Sequence, residues 1–167
     1  GREYGMNTDF IAVTGGSATA DSNSSPTTAD AYADAYGIYA GGDVNSVGAI
    51  TVTADTATAD ANSTSSSGYA YADAEAYGIY GDNVNSIGDV NSIATGAAAT
   101  ADSASYANAN GGAYASGIEA DDDVNSVGDI TVSATSGTAN ADGGSSSVYA
   151  YGDSEAYGIY ADDVNSV

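Results

Sequence analysis

The chain has 167 residues and a formal charge of −22, from 23 acidic residues against a single basic one, Arg2. Lysine, histidine, cysteine, tryptophan and leucine are absent, phenylalanine occurs once (Phe10), and alanine is the largest part of the 43% hydrophobic fraction, with 14 tyrosines as the only plentiful large side chains. This composition excludes a Leu/Phe core and thiol or disulfide chemistry, and its field repels phosphate backbones and anionic membrane surfaces.

Low hydrophobicity with high charge is the usual signature of disorder. Two features oppose that reading: proline occurs once, as Pro26, and the apolar residues alternate with polar ones in step with a repeat. Val-Asn-Ser-Val/Ile stands at 44–47, 84–87, 124–127 and 164–167, a step of 40 residues each time. The chain is therefore a repeat protein first. Residues 1–7 form a leader outside the pattern, and four repeats follow at 8–47, 48–87, 88–127 and 128–167.

Each repeat opens on an alternating segment, such as Ile50-Thr51-Val52-Thr53 and Ile130-Thr131-Val132-Ser133. Two β-branched apolar residues separated by Thr read as a half-buried strand. In repeat three a second Val-Asn-Ser, residues 90–92, takes this place. An Ala/Thr/Asp stretch follows, as at 54–61, and then a small-residue loop, expected at 22–28, 62–68, 108–112 and 143–147. A tyrosine-rich alternating segment comes next (32–39, 69–80, 114–119, 149–160), then an acidic turn, and then Val-Asn-Ser again. Helix fails on this pattern, because apolar residues recur at i and i+2 rather than at i+3 and i+4.

The expected fold is all-β, a parallel β-solenoid (β-helix). Sliding repeat two by half its length superposes Ile50, Val52 and Ala54 on Ala70, Ala72 and Ala74. Each repeat therefore reads as two coils of about 20 residues, giving eight coils and a rod roughly 38 Å long at ~4.8 Å per coil. Asn45, Asn85, Asn125 and Asn165 are placed to form an asparagine ladder along the axis. The alternative is that each Asn only tolerates a turn conformation. Tyr36, Tyr77 and Tyr157, with Tyr39, Tyr80 and Tyr160, are placed to stack on one face. Packing is the expected role for them, with a carbohydrate-binding strip as the other reading.

The chain is expected not to be an enzyme. Without His, Cys or Lys only carboxylates remain for acid–base work, and the pairs Asp73/Glu75 and Asp153/Glu155 read as a solvated acidic face. No cofactor is required. Calcium is a candidate ligand for Asp121, Asp123, Asn125 and Asp129, whose oxygens suit it, although EF-hand and β-roll spacings are absent. Thr51/Thr53 and Thr56/Thr58 suggest an ice-binding row that repeat three does not sustain. Asn23-Ser24-Ser25 and Asn62-Ser63-Thr64 fit glycan acceptors.

Residues 1–10 show no signal-peptide core, and no apolar run approaches the ~20 residues of a membrane-spanning helix. The sequence lacks a starting Met, so a processed product or a section of a longer chain is expected. The phrase Ala-Tyr-Gly-Ile-Tyr-Ala-Asp-Asp-Val-Asn-Ser-Val at 156–167, followed in other copies by Gly-Asp-Ile-Thr-Val-Ser, resembles the repeats of large bacterial surface adhesins. These are the autotransporter-passenger and filamentous-haemagglutinin-like proteins. The resemblance covers residues 8–167 and implies a right-handed β-helix on the cell surface.

The function expected first is structural: a subunit or section of an extracellular filament in which copies of the chain stack head to tail. Tyr4 in the leader, with Val164 and Val167 at an end without a polar cap, would make the contact. An adhesin stalk is the alternative, and an ice-binding solenoid a third reading. No nucleic acid and no membrane insertion are expected.

Overall fold

A computed structural model describes residues 8–15, 18–23, 26–63, 67–135, 137–144 and 147–167. Strict alternation of small apolar and polar residues makes strand the dominant state, and the described residues contain no helix. The first coil holds β1 (Thr8–Thr14), β2 (Ala18–Ser22) and β3 (Thr27–Tyr39). β4 (Val44–Ala54) carries Val-Asn-Ser-Val and runs on into the second coil, which β5 (Ala57–Ser63) and β6 (Ser67–Gly81) complete. The third holds β7 (Val84–Ile87), β8 (Val90–Thr95), β9 (Ala98–Ser103) and β10 (Tyr106–Ala120). The fourth holds β11 (Asp123–Val127), β12 (Ile130–Thr135), β13 (Ala139–Gly143) and β14 (Val148–Tyr160), with β15 (Asp163–Val164) following.

All strand pairs are parallel, and partners lie 39 to 41 residues apart: Thr8 with Val47, Val44 with Val84, Ala29 with Ala70. A long sheet runs β14-β10-β6-β3, a short sheet β13-β9-β5-β2, and a corner sheet β12-β8-β4-β7-β11-β15, with β1 on β4. The fold is a parallel β-solenoid of four stacked coils.

One expectation is corrected by this register. Each repeat is one coil of about 40 residues, not two of about 20, because among the described residues no strand pairs with another half a repeat away. The stack is accordingly about 19 Å high at ~4.8 Å per coil. The half-period has another cause: Ile50, Val52 and Ala54 of the corner sheet share one buried cluster with Ala35, Ala74 and Ala76 of the long sheet on the facing wall. Both walls obey the same alternation, and so they superpose in sequence. The loop expected at 108–112 is also corrected. Those residues lie inside β10, and the turn falls at 104–105, where Ser103 Oγ accepts the N–H groups of Ser105 and Tyr106.

The interior divides in two. Where the corner sheet faces the long sheet, Ile50, Val52, Ile79, Val84, Val90, Ile118 and Val124 are buried. Where the short sheet faces it, every buried member of the cluster is alanine, from Ala29 and Ala57 to Ala109. The glycine before Ile38, Ile79 and Ile118 allows a close approach. A Cβ on Gly78 would stand 2.3 Å from the carbonyl oxygen of Gly117 in the next coil and 2.9 Å from Val90 Cγ1 on the facing wall. Gly37 and Gly117 are hemmed in the same way.

Val-Asn-Ser-Val forms the corner. Ser46, Ser86 and Ser126 take φ of 56°, 55° and 58°, the left-handed region. This bend turns the chain so that the residues on both sides, Val44 with Val47 and Val84 with Ile87, point inward and are buried.

Candidate functional site

Three features of the surface are built by the register. The first is the asparagine column at the corner. Asn85 Nδ2 donates to Asn45 Oδ1 at 3.1 Å, Asn125 Nδ2 to Asn85 Oδ1 at 2.9 Å, and Asn165 Nδ2 to Asn125 Oδ1. The four amides form one chain of hydrogen bonds with a single direction. The turn conformation itself belongs to the neighbouring serine, not to the asparagine.

The second feature is the outer face of the long sheet. Tyr36 and Tyr77 stack at 4.8 Å with ring planes 1° apart, and Tyr39 and Tyr80 stack at 4.8 Å and 14°. In the third coil Ser116 and Asn108 occupy positions where the second and fourth coils carry tyrosine. Tyr114 fills the first gap, lying 5.1 Å from Tyr77 and 5.6 Å from Tyr157. Tyr106 fills the second, between Tyr69 and Tyr149. Sequence comparison by repeat position missed both. The signal was present, because each tyrosine is displaced by two residues, which keeps it on the same face of a strand.

Carboxylates line this aromatic row. Tyr77 donates its hydroxyl to Glu75 Oε2 at 2.8 Å, Tyr114 to Glu119 Oε1 at 2.8 Å, and Tyr157 to Glu155 Oε2 at 3.1 Å. Tyr80 donates to Asp121 Oδ2 one coil away at 3.0 Å. Burial first, and the carboxylate partner second, push the Tyr77 phenol well above the ordinary range and that of Tyr114 up to about 12. The two acidic pairs meet here: Asp73, Glu75, Asp153 and Glu155 line one shallow recess over Gly112 and Tyr114. Burial, then Glu75, raise the pKa of Asp34 and Asp73, and Asp34 adds to the rise at Asp73. The Gly112 N–H, donating to Asp73, opposes it.

The ring geometry bears on a sugar-binding strip. A sugar stacks on an aromatic face, and one face of Tyr36 is turned toward Tyr77 and one face of Tyr39 toward Tyr80.

Of the calcium candidates, Asp121 and Asn125 use their side chains in other contacts, and Asp123 and Asp129 use backbone N–H groups. Asp121 accepts from Tyr80, the Asp123 N–H donates to Asn83 Oδ1, Asn125 sits in the amide column, and the Asp129 N–H donates to Asp89 Oδ1. Among the described residues no group of three or more acidic side chains is arranged to hold a metal ion. The threonine rows are broken: Thr51 pairs with Ala12 on one side and Asn91 on the other, and Thr53 with Ile93. Asn23 and Asn62 donate to Asp21 and Asp60, and the ends of their acceptor triplets, Ser25 and Thr64, lie outside the described residues.

The third feature is the pair of stack edges. In the first coil the inward alanines 29, 31, 33 and 35 are buried, whereas nearly all of β14 in the last coil is exposed. Val164 and Val167 are 51% and 64% exposed at that edge. Tyr4 lies outside the described residues. The chain matches no family model, no curated protein and no solved structure.

Proposed function

We propose that the chain is a structural element of an extracellular, cell-surface filament, built by stacking coil on coil. The observation that carries this reading is the direction of the amide column. Asn85, Asn125 and Asn165 each donate toward the first coil, so the column of four amides runs from an oxygen end at Asn165 to an amide-nitrogen end at Asn45. A second copy stacked in register continues the column head to tail, a heterologous contact that gives open fibres rather than closed rings. The outer face agrees, since Tyr36 and Tyr39 stand in the first coil and Tyr157 and Tyr160 in the last, on the same columns. Val164 and Val167 lose their exposure in such a junction. The chain needs no catalytic site or cofactor for this role, and its partners are copies of itself.

The charge sets the conditions. At −22 the copies repel, and salt shortens the range of that repulsion to about 8 Å at physiological ionic strength. Sedimentation velocity across concentration and salt tests the proposal. Species that grow with both support it. A folded monomer at every concentration and salt overturns it. That outcome favours the stalk of an adhesin, in which the next coil comes from the same polypeptide, as the resemblance to β-helix repeats of bacterial surface proteins suggests.

A further inference from the structure

We propose that the stacked tyrosine pairs on the long sheet, Tyr36 with Tyr77 and Tyr39 with Tyr80, are a site of oxidative modification, where one-electron oxidation joins adjacent coils through dityrosine. The site is contained within one chain and does not depend on filament assembly.

Four observations support it. Both pairs have ring centroids 4.8 Å apart, so two radicals formed there meet without diffusion. Tyr36 and Tyr39 are 47% and 73% exposed, within reach of an oxidant and free to pivot about their side-chain bonds. In each pair one phenol already donates to a carboxylate, Tyr77 to Glu75 and Tyr80 to Asp121. Finally, the residues that would compete for oxidation are scarce, with no Cys or Trp and a single Met.

The chemistry balances with hydrogen peroxide and a haem peroxidase as the oxidant. Each of two phenols loses one electron. An oxidised phenol is a strong acid: at Tyr77 and Tyr80 the proton passes along the existing hydrogen bond to Glu75 or Asp121, and at the exposed Tyr36 and Tyr39 it passes to water. The two tyrosyl radicals couple through their ortho carbons, forming one C–C bond. The ring hydrogens at those carbons then shift to oxygen and restore both phenols. In total two hydrogens leave the protein and one peroxide becomes two waters.

The test treats dilute, folded protein with peroxide and peroxidase, reads dityrosine fluorescence and intact mass, and maps the cross-links after cleavage at acidic residues. The expected product is a monomer lighter by two hydrogens per bond, with the links between Tyr36 and Tyr77 and between Tyr39 and Tyr80. Tyr77→Phe with Tyr80→Phe keeps the rings but removes both links. Tyr36→Phe with Tyr39→Phe, at the exposed edge, does the same should the first variant fail to fold. Glu75→Gln with Asp121→Asn slows the reaction several-fold while leaving the product unchanged. Cross-links scattered over all the tyrosines, links only between molecules, or undiminished fluorescence in folded Phe variants would each overturn the proposal.

Discussion

Val-Asn-Ser-Ile occurs twice within ten residues, at 84–87 and at 90–93, and the two copies fold differently. In the first, Ser86 takes a φ of 55° and is exposed, Asn85 sits in the amide column, and Val84 and Ile87 are both buried. In the second the chain stays extended. Ser92 is fully buried between Val52 and Val132 and donates to the Ala76 carbonyl at 2.9 Å. Asn91 sits between Thr51 and Thr131, its Oδ1 buried without a hydrogen-bond partner. Four identical residues thus take whichever shape the coils above and below impose. In a stack whose backbone hydrogen bonds run along the axis, the neighbour one coil away outweighs the neighbour in sequence.

The largest expected effect is a sign reversal between the two copies. Ser86→Val forces a β-branched residue into the left-handed region and should destabilise by about 2 kcal/mol. Ser92→Val completes a column of valines and should stabilise by about 1 kcal/mol, the added apolar burial exceeding the loss of one hydrogen bond. Denaturant midpoints of the two variants decide it, and a loss of stability in both would break the comparison. Next come the asparagines. Asn85→Ala removes the bonds to Asn45 and Asn125 and should cost about 1–2 kcal/mol, whereas Asn91→Thr, which relieves a buried unpaired oxygen, should stabilise by about 1 kcal/mol. A smaller gain, about 0.5 kcal/mol, is expected for Ser86→Gly, because the relief of left-handed strain exceeds the added chain entropy of glycine.

The pH dependence is the mildest effect, and its direction is unusual. Asp34 and Asp73 have pKa values raised in the folded state, so the folded state binds their protons more tightly than the unfolded chain does. The melting temperature should therefore rise as the solution is acidified from neutrality toward the carboxylate range of about 4. At the alkaline end, Tyr114 titrates at about 12 in the folded state. Its contribution should be lost as pH rises from about 10, the ordinary phenol value, through 12. A melting temperature that falls on mild acidification would contradict this electrostatic account of the tyrosine face.

The alternation of Ala with Tyr, Asp and Thr was enough to read strands from the sequence, and its return every 40 residues was enough to read them as a parallel β-solenoid. Asn45, Asn85, Asn125 and Asn165 were legible as a column for the same reason: a fixed step places like above like. Coil length was not legible, because Ile50-Thr51-Val52 and Ala70-Tyr71-Ala72 carry the same pattern whether they stack or face each other. Only hydrogen-bond register separates those cases. Local propensity also misdirected the turn. Asn is the better left-handed residue, yet the amide column claims Asn85 and leaves Ser86 to bend. The tyrosine face was legible at Tyr36, Tyr77 and Tyr157 but not at Tyr114, whose place is set by the hole above Ser116 rather than by its repeat position.

The central claim is that one 40-residue repeat makes one coil and that coils stack from one copy to the next. Mass per unit length of the assembled material, measured by scanning transmission electron microscopy, tests it most directly. The account predicts filaments with a quarter of the mass of one 167-residue chain for every ~4.8 Å of axis. Filaments with half that mass per rise, or particles that never exceed four coils, would contradict it.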